Sequence, residues 1–91
     1  MDTDEYEISI HRELQHHRRV VRTIQENLAK RRQQYDMDYA EAAQAMAAGL
    51  LKIDAGELAK WQDDVEALPL WEQRLEEYRQ ALALMRVSAS R

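Results

Sequence analysis

Three histidines crowd the first fifth of the chain: His11, His16 and His17. Imidazole is the side chain best suited to hold a metal or to move a proton near neutral pH. A metal site on one helix needs its ligands on a common face, with a further donor to complete the set. Steps of five and six residues from His11 to the other two do not share a face. The expected placement is His17 inward, His16 outward and His11 on the flank. No metal site and no cofactor are expected. An inward histidine would make association sensitive to pH.

A second candidate is acidic. Asp63, Asp64, Glu66, Glu72, Glu76 and Glu77 lie within fifteen residues of one another. Glu72 and Glu76 are four apart, with no histidine near them in sequence, so the group reads as a solvated helix face. The chain shows no nucleophile elbow and no phosphate loop. No catalytic residue is assigned, and the chain is not expected to be an enzyme.

The third candidate is basic. Residues 11–32 carry seven Lys/Arg and two Glu, a balance of +5, although the whole chain is at −4. A cationic helix stripe can track a phosphate backbone, with steep salt dependence. Arg12, Arg18, Arg19 and Arg22 are the candidate phosphate contacts. Against that use, residues 33–91 balance at −5 and could neutralise the stripe from within. No helix-turn-helix or ribbon signature accompanies it.

The elements that position these groups are helical. Ile10, Leu14, His17, Val21, Ile24, Leu28, Arg31 and Tyr35 alternate steps of four and three, a coiled-coil seam. Helix one is expected over about 4–34, roughly 45 Å at 1.5 Å per residue. Arg31, a charge in a seam slot, is expected to reach Asp36 or Asp54 or to snorkel to water. Asp38 with Glu41 is a capping-box pair, which starts helix two over about 39–48. Gly49 then serves as its left-handed cap, with Leu50 folding back on the last turn. Asp54 with Glu57, flanked by the Ile53/Leu58 staple, starts helix three over about 55–87.

The helix-three seam reads Leu58, Trp61, Val65, Leu68, Trp71, Leu75, Tyr78, Leu82 and Met85, with a skipped step beside Pro69. A proline inside a helix removes one hydrogen bond and crowds the preceding turn. A kink is therefore expected there, with Trp61 and Trp71 filling the space it opens.

Ninety-one residues, two Gly, one Pro, no Cys and no Phe describe one small all-α domain, 1–91, with a thin core. The expected fold is an antiparallel long-helix hairpin with a short middle helix, kinked near Pro69 and paired into a dimeric bundle, its long helices pairing either within one chain or swapped between two. The partner seam would comprise Ile10, Leu14, His17, Val21, Ile24, Leu28, Trp61, Val65, Trp71, Leu75, Tyr78 and Leu82. Without a signal peptide or an apolar run of spanning length, the chain reads as cytoplasmic and away from membranes. The leading function is protein–protein interaction, with a protein partner or a second copy. The alternatives are a nucleic-acid-associated factor using the basic face of helix one, and a small secretion-type chaperone that covers a client helix.

Residues 35–61 carry a layout of Tyr-Asp-Met-Asp-Tyr, an Ala-rich turn, Gly49-Leu50-Leu51, Asp54, Leu58 and Trp61. This stretch resembles small prokaryotic all-helical proteins encoded beside toxin genes. Those proteins often have Phe where this chain has Ala in helix two, and a shorter first helix. The resemblance implies a non-enzymatic partner protein of antitoxin type.

Overall fold

The structure, a computed structural model, describes residues 2–89, with side-chain surroundings for residues 5–87. It is all-helical: α1 is Asp2–Tyr35, α2 is Tyr39–Ala47 and α3 is Ala55–Ala89. No strand occurs among the described residues.

The two joints follow from local chemistry. Asp36 stands in the left-handed region at φ 54°, where a short polar side chain is tolerated. Its N–H donates to the Arg32 carbonyl at 2.8 Å and closes α1. Asp38 caps α2 reciprocally, accepting from the Glu41 N–H at 2.8 Å while the Glu41 carboxylate accepts from the Asp38 N–H at 3.4 Å. Gly49, at φ 75°, ends α2. Its N–H donates to Met46 and that of Leu50 to Ala45, the paired bonds of a Schellman cap. The Leu50 side chain does not fold back: it is 84% exposed, because the cap is held by backbone bonds alone. Asp54 caps α3 through the Glu57 N–H at 3.2 Å.

The molecule is a rod of 62 × 17 × 17 Å. Along it α1 packs on α3, and α2 packs on the start of α3. Tyr35 stacks on Trp61 at 5.5 Å, Arg31 pairs with Asp64, and His17 lies between Trp71 and Tyr78. Leu14, Val21, Leu75 and Leu82 form the central cluster, with Ile10, Leu68, Trp71 and Tyr78 against it. Ile24 is also buried, and Leu28 is half-buried.

Two expectations about the α3 seam need correction. Val65 is exposed, and half-buried Asp64 takes its slot instead. Facing residues then run 61, 64, 68, 71, 75, 78 and 82, an unbroken alternation of three and four with no skipped step at Pro69. Nor do the tryptophans gather around Pro69. Trp61 is buried at one end of the rod beneath Tyr35 and Tyr39. Trp71 packs on the histidines further along. α3 continues through Pro69 without a break.

Candidate partner interface

A pair of helices shares one seam and leaves every other face open. The seam itself carries two polar contacts. Arg31, expected to reach Asp36 or Asp54, instead donates to Asp64 at 3.0 Å. Both side chains are mostly buried, at 16% and 23% exposure. These two charged residues occupy facing slots and satisfy each other.

His17 is the other polar seam residue, with 6% exposure. Its Nδ1 lies 2.7 Å from the Glu13 carbonyl oxygen. A carbonyl only accepts, so the proton sits on Nδ1, which fixes the tautomer of the neutral ring. The ring packs 5.0 Å from Trp71 and 4.8 Å from Tyr78. His16 meets the Trp71 edge at 5.9 Å, and the Arg74 guanidinium lies 5.7 Å above the same indole. His17 is thus an aromatic-packed seam residue, His16 is outward and His11 is on the opposite flank.

Glu13 and His16 of α1 stand at Glu-x-x-His spacing. A di-metal bundle needs that motif twice, and it occurs once here. Among the described residues no three His, Asp or Glu side chains gather to hold a metal ion.

The two flanks of the seam differ. On one, an open groove of about 620 Å³ is lined by Tyr6, Ile10, Trp71, Tyr78 and Ala81 together with Glu13, His16, His17, Arg74 and Glu77. Leu70 and Leu84 lie one heptad either side of Glu77, hence on the same stripe, and are 61% and 69% exposed. Val20, one heptad beyond Glu13, is half-buried. Half of this groove's lining is apolar or aromatic, and exposed Leu70 and Leu84 extend that side.

The other flank is charged. One groove there is lined by Arg18, Arg22, Glu72, Glu76 and Arg79, and the next by His11, Arg18, Arg79 and Arg86. A shallow dent beyond His11 is bordered by Ile8, Arg12 and Arg19. Arg12, Arg18, Arg19 and Arg22 therefore lie together, joined by Arg79 and Arg86 of α3. Those two arginines were missed from sequence, although they follow the seam residues Tyr78 and Met85 directly and stand one heptad apart.

Close ion pairing between the long helices is found, among the described residues, at one end of the rod. Arg31–Asp64 is the one ion pair between α1 and α3 within 4.0 Å among the described residues. At that end Tyr35 has its phenol pushed above its ordinary 10.0, chiefly by burial and further by the Glu57 carboxylate, with Arg31 opposing.

No family model, curated protein or solved structure matches this chain. The likeness to toxin-linked proteins thus rests on the 35–61 motif alone. No helix among the described residues is long and apolar enough to cross a membrane.

Proposed function

We propose that the chain is a non-enzymatic helical interaction module: an antiparallel hairpin, bent at Pro69, that pairs with a second copy through its apolar flank to make a four-helix bundle. The observation that carries this reading is surplus surface. The accessible area is 7011 Å². A compact monomer of 10.7 kDa exposes about 5,500 Å² by the usual mass scaling. The excess, roughly 1,500 Å², falls within what each subunit of a stable homodimer covers, about 1,000–2,500 Å².

The reversed order of contacts along α1 and α3 supports the hairpin. The missing N–H at Pro69, opposite the Val65 carbonyl, supports the bend. Exposed Tyr6, Leu70 and Leu84 beside half-buried Trp71 support this flank as the contact surface. The 35–61 resemblance extends the reading to a dimer that neutralises a toxin through its remaining surface.

Sedimentation velocity of the full chain tests the association. The expected species has about twice the 10.7 kDa chain mass, and Leu70→Glu with Leu84→Glu converts it to monomer with helicity retained. A monomer at high micromolar concentration sinks the reading.

A further inference from the structure

We infer that the charged flank is a binding site for the phosphodiester backbone of duplex nucleic acid, built from both long helices. Six arginines and His11 form it: Arg12, Arg18, Arg19 and Arg22 from α1, Arg79 and Arg86 from α3. The grooves that share Arg18, Arg79 and His11 join them into one surface. Among the residues lining these grooves Glu72 and Glu76 stand against them, and Glu5 and Glu26 lie one heptad from Arg12 and Arg19 on the same stripe, so the flank balances at +2 and the rest of the −4 chain is at −6. An overall acidic protein therefore presents one cationic side, and its own field orients that side toward a polyanion.

Three features favour duplex backbone. The flank uses arginine throughout and no lysine, and the planar guanidinium grips phosphate oxygens in pairs. Those arginines are available: Arg31 shows what a satisfied one looks like, at 3.0 Å from a mostly buried carboxylate. On the flank, by contrast, the sole described ion pair is Arg79 with Glu76 at 3.9 Å, with both side chains more than half exposed. Phe, Tyr and Trp are absent among the residues lining these grooves, so there is no platform on which single-stranded bases could stack. From Arg12 to Arg22 the stripe covers about 15 Å of helix axis, enough to meet several phosphates of a duplex that carries one per about 1.7 Å.

The test uses the full chain with a fluorescent duplex DNA of random sequence, read by anisotropy between about 50 and 200 mM salt. The expected result is sequence-independent binding whose logarithm falls against log salt with a slope of about −4, corresponding to four or five contacts. Arg79→Gln with Arg86→Gln weakens binding about tenfold at the low-salt end and makes the slope shallower by about two. Arg19→Gln with Arg22→Gln does the same. All four side chains are exposed, and circular dichroism checks that each variant stays helical.

No binding at low salt, or full binding by the Arg79/Arg86 variant, overturns the proposal. So does tighter binding to phosphatidylserine vesicles than to the duplex, which would assign the flank to a membrane surface. Sedimentation of the same variants separates this site from the apolar flank: arginine replacement leaves the oligomer mass unchanged, and Leu70/Leu84 replacement leaves the arginines in place.

Discussion

Arg31 and Asp64 offer the sharpest perturbation of this rod. Their 3.0 Å contact gives an attraction of about 5 kcal/mol at an effective dielectric of 20. Desolvating two mostly buried ions costs several kcal/mol, so the net contribution of the pair is small. Removing one partner is different, because the other stays in the seam without its counter-charge. Asp64→Asn keeps the volume and deletes the charge, and its expected cost is about 2 kcal/mol. In a chain of this length that lowers the melting midpoint by roughly 8–16 °C.

Arg31→Leu with Asp64→Leu restores an apolar step to both seams and is expected to match or exceed the parent in stability. The assay is urea denaturation followed by tryptophan fluorescence at fixed protein concentration, since the proposed association would contribute to the measured value. A thermodynamic cycle over Arg31→Leu, Asp64→Leu and the double variant isolates the coupling. Single effects that add to within about 0.5 kcal/mol mean the charges are independent, and the placement of Asp64 as a seam residue is then wrong.

Trp61, at 2% exposure, is the largest buried side chain, and Trp61→Ala is expected to cost about 3–5 kcal/mol, enough to abolish the cooperative urea transition. Gly49→Ala places a Cβ at φ 75° with nothing nearby to compensate, and should lower stability by about 1 kcal/mol in the same assay. Tyr35 keeps its proton in the folded chain above pH 10.0, where the unfolded chain loses it. Its contribution to stability is therefore whole below about pH 10 and declines as pH rises through the raised value. Tyr35→Phe removes that decline, so the gap between parent and variant melting midpoints should change between pH 8 and pH 11, measured by circular dichroism. A gap that stays constant across that interval contradicts the assignment.

Much of the helical framework is legible in the sequence because its signals are local. The Asp38/Glu41 box, Gly49 and Asp54/Glu57 each act within a few residues, and each sits at a helix end in the structure. The seam of α1 is equally plain, since its apolar residues recur without a gap longer than one heptad. The α3 seam misleads at one step because hydrophobicity favours Val65 over its neighbour Asp64. What makes Asp64 the inward residue is a cation 33 positions away, a pairing invisible to any window along the chain. Arg31, the odd charge in the first seam, was half of the clue. Arg31 lies one seam step from Tyr35 and Asp64 one from Trp61, so with Tyr35 on Trp61 the two opposite charges are partners before they are exceptions. Arg79 and Arg86 escape for a related reason: each is an ordinary exposed arginine until α1 brings its own four alongside.

The contrast between the two flanks bears on how the proposed roles combine. In a two-fold dimer each chain offers the same apolar flank to the other, so both arginine flanks end on the outside, facing away from one another. Neither is covered, and neither needs the other to be complete. A duplex laid on one arginine flank cannot reach the second without bending around a bundle about 35 Å across, twice the 17 Å width of the single rod. Smooth bending of that severity in a short duplex costs several kcal/mol. Under the two proposals together, a dimer would hold two separate duplexes, one per chain, rather than wrap a single one. The proposed association and the proposed backbone binding are compatible because they use opposite sides of a single seam.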